Sequence, residues 1–171
     1  MGPCFRRDDR EIGFMTSPKS LSRSASSTVR ATIMVSSLLT VQTSGRGFTD
    51  LTAEIAKFVK DAGANEGAVT LFIRHTSASL SIQENADPSV LDDLMTALDR
   101  LAPENAGWSH DTEGPDDMPA HVKTMLTATS LQIPVLKGEL TLGTWQAIYL
   151  IEHRVRPHRR EIVLQFVGAG A

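Results

Sequence analysis

Four of the five histidines fall in three polar segments: residues 74–88 (RHTSASLSIQENADP), 109–121 (SHDTEGPDDMPAH) and 142–154 (LGTWQAIYLIEHR). Each of the four stands beside carboxylates, small hydroxyls or a turn. Titratable groups gathered where regular elements stop are the raw material of a site. The side chains present suit acid–base chemistry, metal-assisted chemistry or the binding of a small anion. The chain has no Walker loop, no GxGxxG and no nucleophile elbow, and its single cysteine, Cys4, lies in a tail-like stretch. Hydride transfer on a dinucleotide fold, Ser-elbow hydrolysis, Cys catalysis and a Cys-based zinc site therefore recede.

His75 ends an apolar strand and is followed by Thr76, Ser77 and Ser79. It could bind an anion or a metal, or simply close the strand with its hydrogen bonds satisfied. Glu84 and Asn85 follow a second short strand. Glu84 has no evident structural task and reads as a general base, a metal-bound carboxylate or a solvated turn residue, whereas Asp87 is accounted for as a helix cap. In GPDDMPAH, Gly114-Pro115 forces a turn, Asp116 or Asp117 caps a helix begun at Met118-Pro119, and His121 sits in its first turn. The positive end of the helix dipole favours a neutral imidazole there, fit for a metal or for a general base. The free N–H groups at the helix start can also hold phosphate. His110 and His121 are too far apart for a zincin pair, but His75, His110 and His121 could converge in space as a three-histidine metal site. In the late strand, alternation puts Trp145, Ala147, Tyr149, Ile151 and His153 on one face. Gln146, Ile148, Leu150, Glu152 and Arg154 take the other. Glu152 and Arg154 read as a same-face ion pair, or Arg154 as a fork for phosphate or carboxylate.

The elements that must hold these groups mix α and β patterns. Strands are expected at 31–43, 67–75 and 78–83. A hairpin over 131–143 should turn at Lys137-Gly138, and strands over 145–154 and 160–168 should follow. Helices are expected at 50–62, capped by Thr49 or Asp50, from Asp87-Pro88 to Leu101, and from Met118-Pro119 to about 127. The second should bury Val90, Leu91, Leu94, Met95, Leu98 and Leu101, and the third Val122, Met125 and Leu126. Six or seven strands ending as a meander, with three helices, argue for an α+β fold of one compact domain with largely antiparallel sheet.

A chain of 171 residues, 41% apolar, suffices for one core resting on Leu, Ile, Val and Ala, since aromatics make up only 5%. No apolar run approaches the ~20 residues of a membrane span. Residues 1–30 carry six Lys/Arg and three Asp/Glu, and the remainder 11 and 17, so a body of net charge −6 argues against nucleic-acid binding. Residues 17–30 hold six serines and no acid. The stretch 1–30 thus reads as a disordered extension, or as the product of a start placed too early, ahead of a domain over 31–171. It lacks the apolar core of a secretory signal, and a cytoplasmic protein is expected.

Taken together, HTSASLSIQENADP, GPDDMPAHVK with SLQIPV, GELTLGTWQAIYLIEHR and the opening TVQTSGRGFTDLT resemble the signatures of the YjbQ-type family, whose members are often labelled secondary thiamine-phosphate synthase enzymes. The resemblance runs from about residue 36 to the end. It implies an α+β fold whose sheets pack around the axis of a homotrimer. It also implies a weak activity joining a pyrimidine diphosphate to a thiazole phosphate with release of pyrophosphate. Carried onto this chain, it implies catalytic roles for Glu84, Asp116, His121 and His153, and substrate or phosphate contacts from Ser77, Asn85, Glu152 and Arg154. A divalent metal, zinc or magnesium, would sit on His75, His110 and His121. The alternative is a non-catalytic homotrimer that binds a small phosphorylated metabolite or a metal.

Overall fold

A long antiparallel ladder organises the chain. In the computed structural model, which describes residues 21–171, β1 (Ile33–Gln42) pairs with β8 (Arg159–Gly170) from Ile33↔Gly168 to Gln42↔Arg159. On the other side of β8 lies β3 (Ala64–Ile73), itself paired with β5 (Ser130–Leu136) and then β6 (Glu139–Leu140). The large sheet thus has the order β1-β8-β3-β5-β6. The β5–β6 hairpin turns at Lys137 and Gly138, both at positive φ (54° and 78°), as the sequence leads one to expect of a two-residue loop. A second sheet, β2-β7-β4, is built from β2 (Gly47–Asp50), β7 (Gln146–Glu152) and β4 (Ala78–Glu84), again all antiparallel. Three helices, α1 (Thr52–Asp61), α2 (Pro88–Leu101) and α3 (Asp117–Leu126), complete the α+β architecture. Residues 21–30 are exposed and carry no regular element; the rest of the 1–30 stretch lies outside the described residues.

The core lies between the sheets. Val69, Leu71, Ile73, Ile133, Val135, Ile162, Leu164 and Phe166 of the large sheet meet Leu80, Ile148 and Leu150 of the small one and Ile55 and Val59 of α1. β7 is flanked on both edges by β2 and β4, its Ile148 and Leu150 face the core, and Ala147 to Glu152 are all buried. Gly67 and Gly168 face each other across β3 and β8. A Cβ on Gly168 would stand 2.2 Å from the Glu66 carbonyl oxygen and 2.7 Å from the Phe166 ring, so only glycine lets the strands pass here.

The sequence reading needs correction at two helices. α2 starts as expected, with Pro88 in its first turn and the Asp87 carboxylate accepting from the Ser89 N–H at 2.9 Å. Its apolar stripe, however, is only half-buried, and Leu101 is exposed, because the helix lies beside α3 and the edge strand β4 rather than across a sheet. α3 is turned relative to the expectation. It buries Asp117, Ala120, Lys123 and Thr124, and exposes Met125 and Leu126. The polar stripe faces inward because each of its charges finds a partner there, Asp117 on Arg154 and Lys123 on Asp99 of α2. The short strand β2, which the sequence reading passed over, carries Asp50, whose carboxylate accepts from the Thr52 N–H and so starts α1.

Candidate metal centre and its ion-pair network

Helix α3 and the loop before it bring His110, Asp117 and His121 together. One ligand-type atom from each lies within 4.8 Å of the others. His110 Nε2 is 2.8 Å and His121 Nε2 3.5 Å from the same oxygen, Asp117 Oδ2. The geometry follows from the helix, since Asp117 and His121 are one turn apart and share a face. Two atoms on one metal at about 2.1 Å stand roughly 3.0–3.4 Å apart in octahedral or tetrahedral arrangements; the 2.8 and 3.5 Å separations bracket that range, so shifts of a few tenths of an ångström would let the three side chains share an ion. The histidines are partly open to solvent, while Asp117 is 2% exposed. The cluster therefore has a fixed inner side and an open outer one.

Arg154, just past the end of β7, fixes that inner side. Its Nη1 donates to Asp117 Oδ1, its Nε to Asp116 Oδ2 at 3.1 Å and its Nη2 to the Glu113 carbonyl at 2.8 Å. Asp116 also accepts from the Val155 N–H at 2.8 Å. Burial opposes its ionisation, but this N–H and the guanidinium prevail and hold its pKa below the usual carboxylate value. Asp116 stands at the N-cap position of α3 without making the side-chain cap bond expected of it, because its carboxylate is used on Arg154 and Val155. Arg154 is likewise not the free phosphate fork, nor the ion-pair partner of Glu152, that the sequence permits. Only its backbone N–H reaches Glu152, at 3.0 Å from Oε1.

The partner of Glu152 is Arg160 on β8, through two bonds of 2.6 and 2.7 Å inside the protein, with Thr43 Oγ1 donating to the same carboxylate at 2.9 Å. Burial pushes the Glu152 pKa up, yet these donors bring it below its ordinary value. Both residues are buried, and the pair ties β7 to β8. His153 points to the opposite face, where Ser79 Oγ lies 2.9 Å from its Nε2 and the Lys123 ammonium of α3 is close enough to act on it. It is fully buried, and its Nδ1 has no hydrogen-bond partner among the described residues. Burial first, and then the Lys123 ammonium, lower its pKa to about 4, so it is neutral at ordinary pH.

Of the residues picked from the sequence, the fold unites His110, His121, Asp116 and Arg154. It leaves His75 apart. His75 Nε2 accepts the Glu161 N–H at 2.8 Å, which commits the one lone pair of a neutral imidazole. Within this chain the third member of the cluster is Asp117, not His75. Glu84 and Asn85 also lie elsewhere: Glu84 pairs with Gln146 at one end of the small sheet and Ala78 with Glu152 at the other, about 20 Å away along the strands. Ser77 meets the network only through Arg160, whose Nη2 donates to its carbonyl and hydroxyl. Asp117, Lys123, Arg160 and Ser79 were missed as functional candidates. For Asp117 the four-residue spacing to His121 was the available signal.

The fold and site define a two-sheet α+β protein with a His/Asp cluster at the start of a helix, wired by arginine to the end of a central strand. A family model described as UPF0047 protein YjbQ-like matches residues 37–169. The chain belongs to this YjbQ-like UPF0047 family. It is 48% identical to a UPF0047 protein of Synechocystis over 132 residues, 77% of this chain and 90% of that one. It is 43% identical to the UPF0047 protein YjbQ of Escherichia coli O157:H7 over 76% of this chain and 95% of the relative. Among solved structures, an uncharacterized conserved protein of the YjbQ/UPF0047 family from Clostridium acetobutylicum superimposes with a TM-score of 0.71 at 35% identity, covering 75% of this chain and 98% of that one. Among the described residues no helix is long and apolar enough to cross a membrane.

Proposed function

We propose that this protein is a metal-dependent enzyme that acts on a small phosphorylated substrate, with the ion held by His110, Asp117 and His121. The observation that carries the reading is the convergence of these three donors within 4.8 Å, one side buried and the other open. Two imidazoles and one carboxylate form a borderline-soft set that suits zinc, manganese or iron better than magnesium, which prefers oxygen ligands. Zinc is therefore a better match to this set than magnesium.

A bound ion of this class supplies Lewis acidity toward a phosphate or carbonyl oxygen. The protein's own contribution is positional. Arg154 holds Asp117 by one oxygen and leaves the other toward the histidines, while Asp116 and the Glu113 carbonyl hold Arg154. For this role His110 must present Nε2 as a lone pair, which means giving up its contact with Asp117. A thiamine-phosphate synthase-type transfer is one reaction such a site could serve at low efficiency. The nearest guanidinium, Arg154, is engaged by Asp116 and Asp117 rather than open to a diphosphate, which accords with low efficiency.

That same commitment of Arg154, Asp116 and Asp117 to one another favours a second reading: a non-catalytic binder of metal and phosphorylated metabolite. Exposed Met34 and Val167 form a cross-strand pair on the outer face of the large sheet, near the start of β1, and this is the patch we propose for packing in a homotrimer. The protein would work in the cytoplasm.

Calorimetric titration of chelator-stripped protein with zinc tests the metal reading. One ion per chain is expected, with affinity reduced about 100-fold or more in Asp117→Asn and in His121→Ala. Absence of stoichiometric binding, or equal binding by both variants, would overturn it. If metal binds, turnover of phosphorylated compounds that is abolished in the same variants separates the enzyme from the binder.

A further inference from the structure

A second cluster of polar groups lies outside the metal centre, at the C-terminal end of β3. Phe72, Arg74, His75, Thr76, Ser77 and Thr129 line an open cleft of about 590 Å³. Its floor is partly apolar, with the Phe72 ring half exposed. Its walls carry hydrogen-bond donors.

The tautomer of His75 is dictated by the backbone. A peptide N–H can only donate, so the Glu161 N–H at 2.8 Å requires a lone pair on Nε2. The ring proton then resides on Nδ1, which has no hydrogen-bond partner among the described residues. Protonation of the ring would set two N–H groups against each other. Burial chiefly, with the Arg160 charge adding, also lowers its pKa. His75 is thus a neutral donor. Ser77 Oγ accepts from Arg160 Nη2 at 3.2 Å, and Arg160 is buried, so the serine proton is available for another acceptor. The Arg74 guanidinium gives Nη1 to Glu161 at 3.0 Å, and its other N–H groups have no partner among the described residues. The Glu161 carboxylate is not a free negative charge on the rim, because Arg74 and Arg159 hold its two oxygens. The Thr76 and Thr129 hydroxyls have no partner among the described residues either.

A cleft that offers a neutral N–H, three hydroxyls and a guanidinium around a half-exposed phenyl ring asks for an acceptor-rich head group on an apolar body. We propose that it is a second ligand site, distinct from the His110–Asp117–His121 cluster, for the oxyanion of a small aromatic or apolar phosphate or carboxylate. His75 Nδ1–H and the Ser77 and Thr129 hydroxyls would donate to the anion, Arg74 would supply charge, and Phe72 would pack on the body of the ligand. The buried Arg160 acts through Ser77 and is a positioning residue. The site does not require metal and does not rest on the function proposed above.

The test is titration of chelator-treated full-length protein with phenyl phosphate and with benzoate, followed by calorimetry and by backbone amide NMR. One saturable site per chain for at least one of the two is expected, with the largest shifts at Thr76, Ser77 and Thr129. Phenol, which lacks the anion, should not bind. Loss of one hydrogen bond to a charged ligand predicts affinity about tenfold or more weaker in His75→Phe and in Thr129→Val. The second substitution is conservative in shape and covers the case in which the first disturbs the loop. No saturation with either probe, shifts centred elsewhere, or undiminished affinity in folded Thr129→Val would overturn the proposal.

Discussion

Acid is expected to destabilise this fold through His153. The imidazole is fully buried and its pKa stands at about 4, against an ordinary value of 6.5. Desolvation is the main cause, the Lys123 ammonium adds to it, and the Glu152 carboxylate opposes it in part. Because the folded value lies below the unfolded one, the unfolded chain takes up the proton first. The contribution is therefore complete above about pH 6.5 and is lost as the pH falls toward 4. One pKa unit corresponds to ~1.4 kcal/mol. About 2 kcal/mol should be gone by pH 5 and about 3 kcal/mol by pH 4.

Asp116 and Glu152, whose pKa values are also held down, lose stability in the same direction on acidification, so the total slope of the native protein is steeper. Comparison with His153→Gln isolates the histidine, since the amide does not titrate and can still meet Ser79 Oγ. The assay is urea unfolding at pH 7 and pH 5 in the presence of chelator. Whatever the variant costs at pH 7, its stability relative to the native protein should rise by about 2 kcal/mol at pH 5. A difference that does not change with pH, or a His153 ring that titrates near its ordinary value by NMR, would refute the reasoning.

Two further substitutions probe the scaffold. Gly168→Ala places a Cβ 2.2 Å from the Glu66 carbonyl oxygen and 2.8 Å from Gly67 Cα, backbone that cannot move aside without parting β3 from β8. A loss of about 2–3 kcal/mol is expected in chemical denaturation, and a change under 0.5 kcal/mol would contradict the close approach. Asp87→Ala removes the acceptor of the Ser89 N–H at the start of α2 and should cost about 1 kcal/mol, with hydrogen exchange accelerated in the first turn of that helix.

Much of the fold was legible because it rests on local rules. The alternation along Gln146–Glu152, the Lys137-Gly138 turn and the Asp87-Pro88 start of α2 each follow from strand period, turn chemistry or capping, and each stands in the structure. The motifs themselves were enough to suggest the family. The site was only half legible. His110, His121, Asp116 and Arg154 were singled out, and the four-residue spacing of Asp117 and His121 was there to be seen.

What the sequence determined by itself is the set of elements and the gathering of polar residues at their ends. These depend on φ/ψ preference and periodicity within a few residues. Only the tertiary structure decided which polar groups pair. α3 turns its acid and its lysine inward, against its apolar stripe, because Arg154 and Asp99 wait there, and a partner 24 or 37 residues away leaves no trace in a local pattern. The Glu161 N–H, 86 residues from His75, occupies the lone pair that a metal would need and turns that histidine into a donor. A charge or an imidazole takes its role from what faces it, and that is set by the packing of the two sheets.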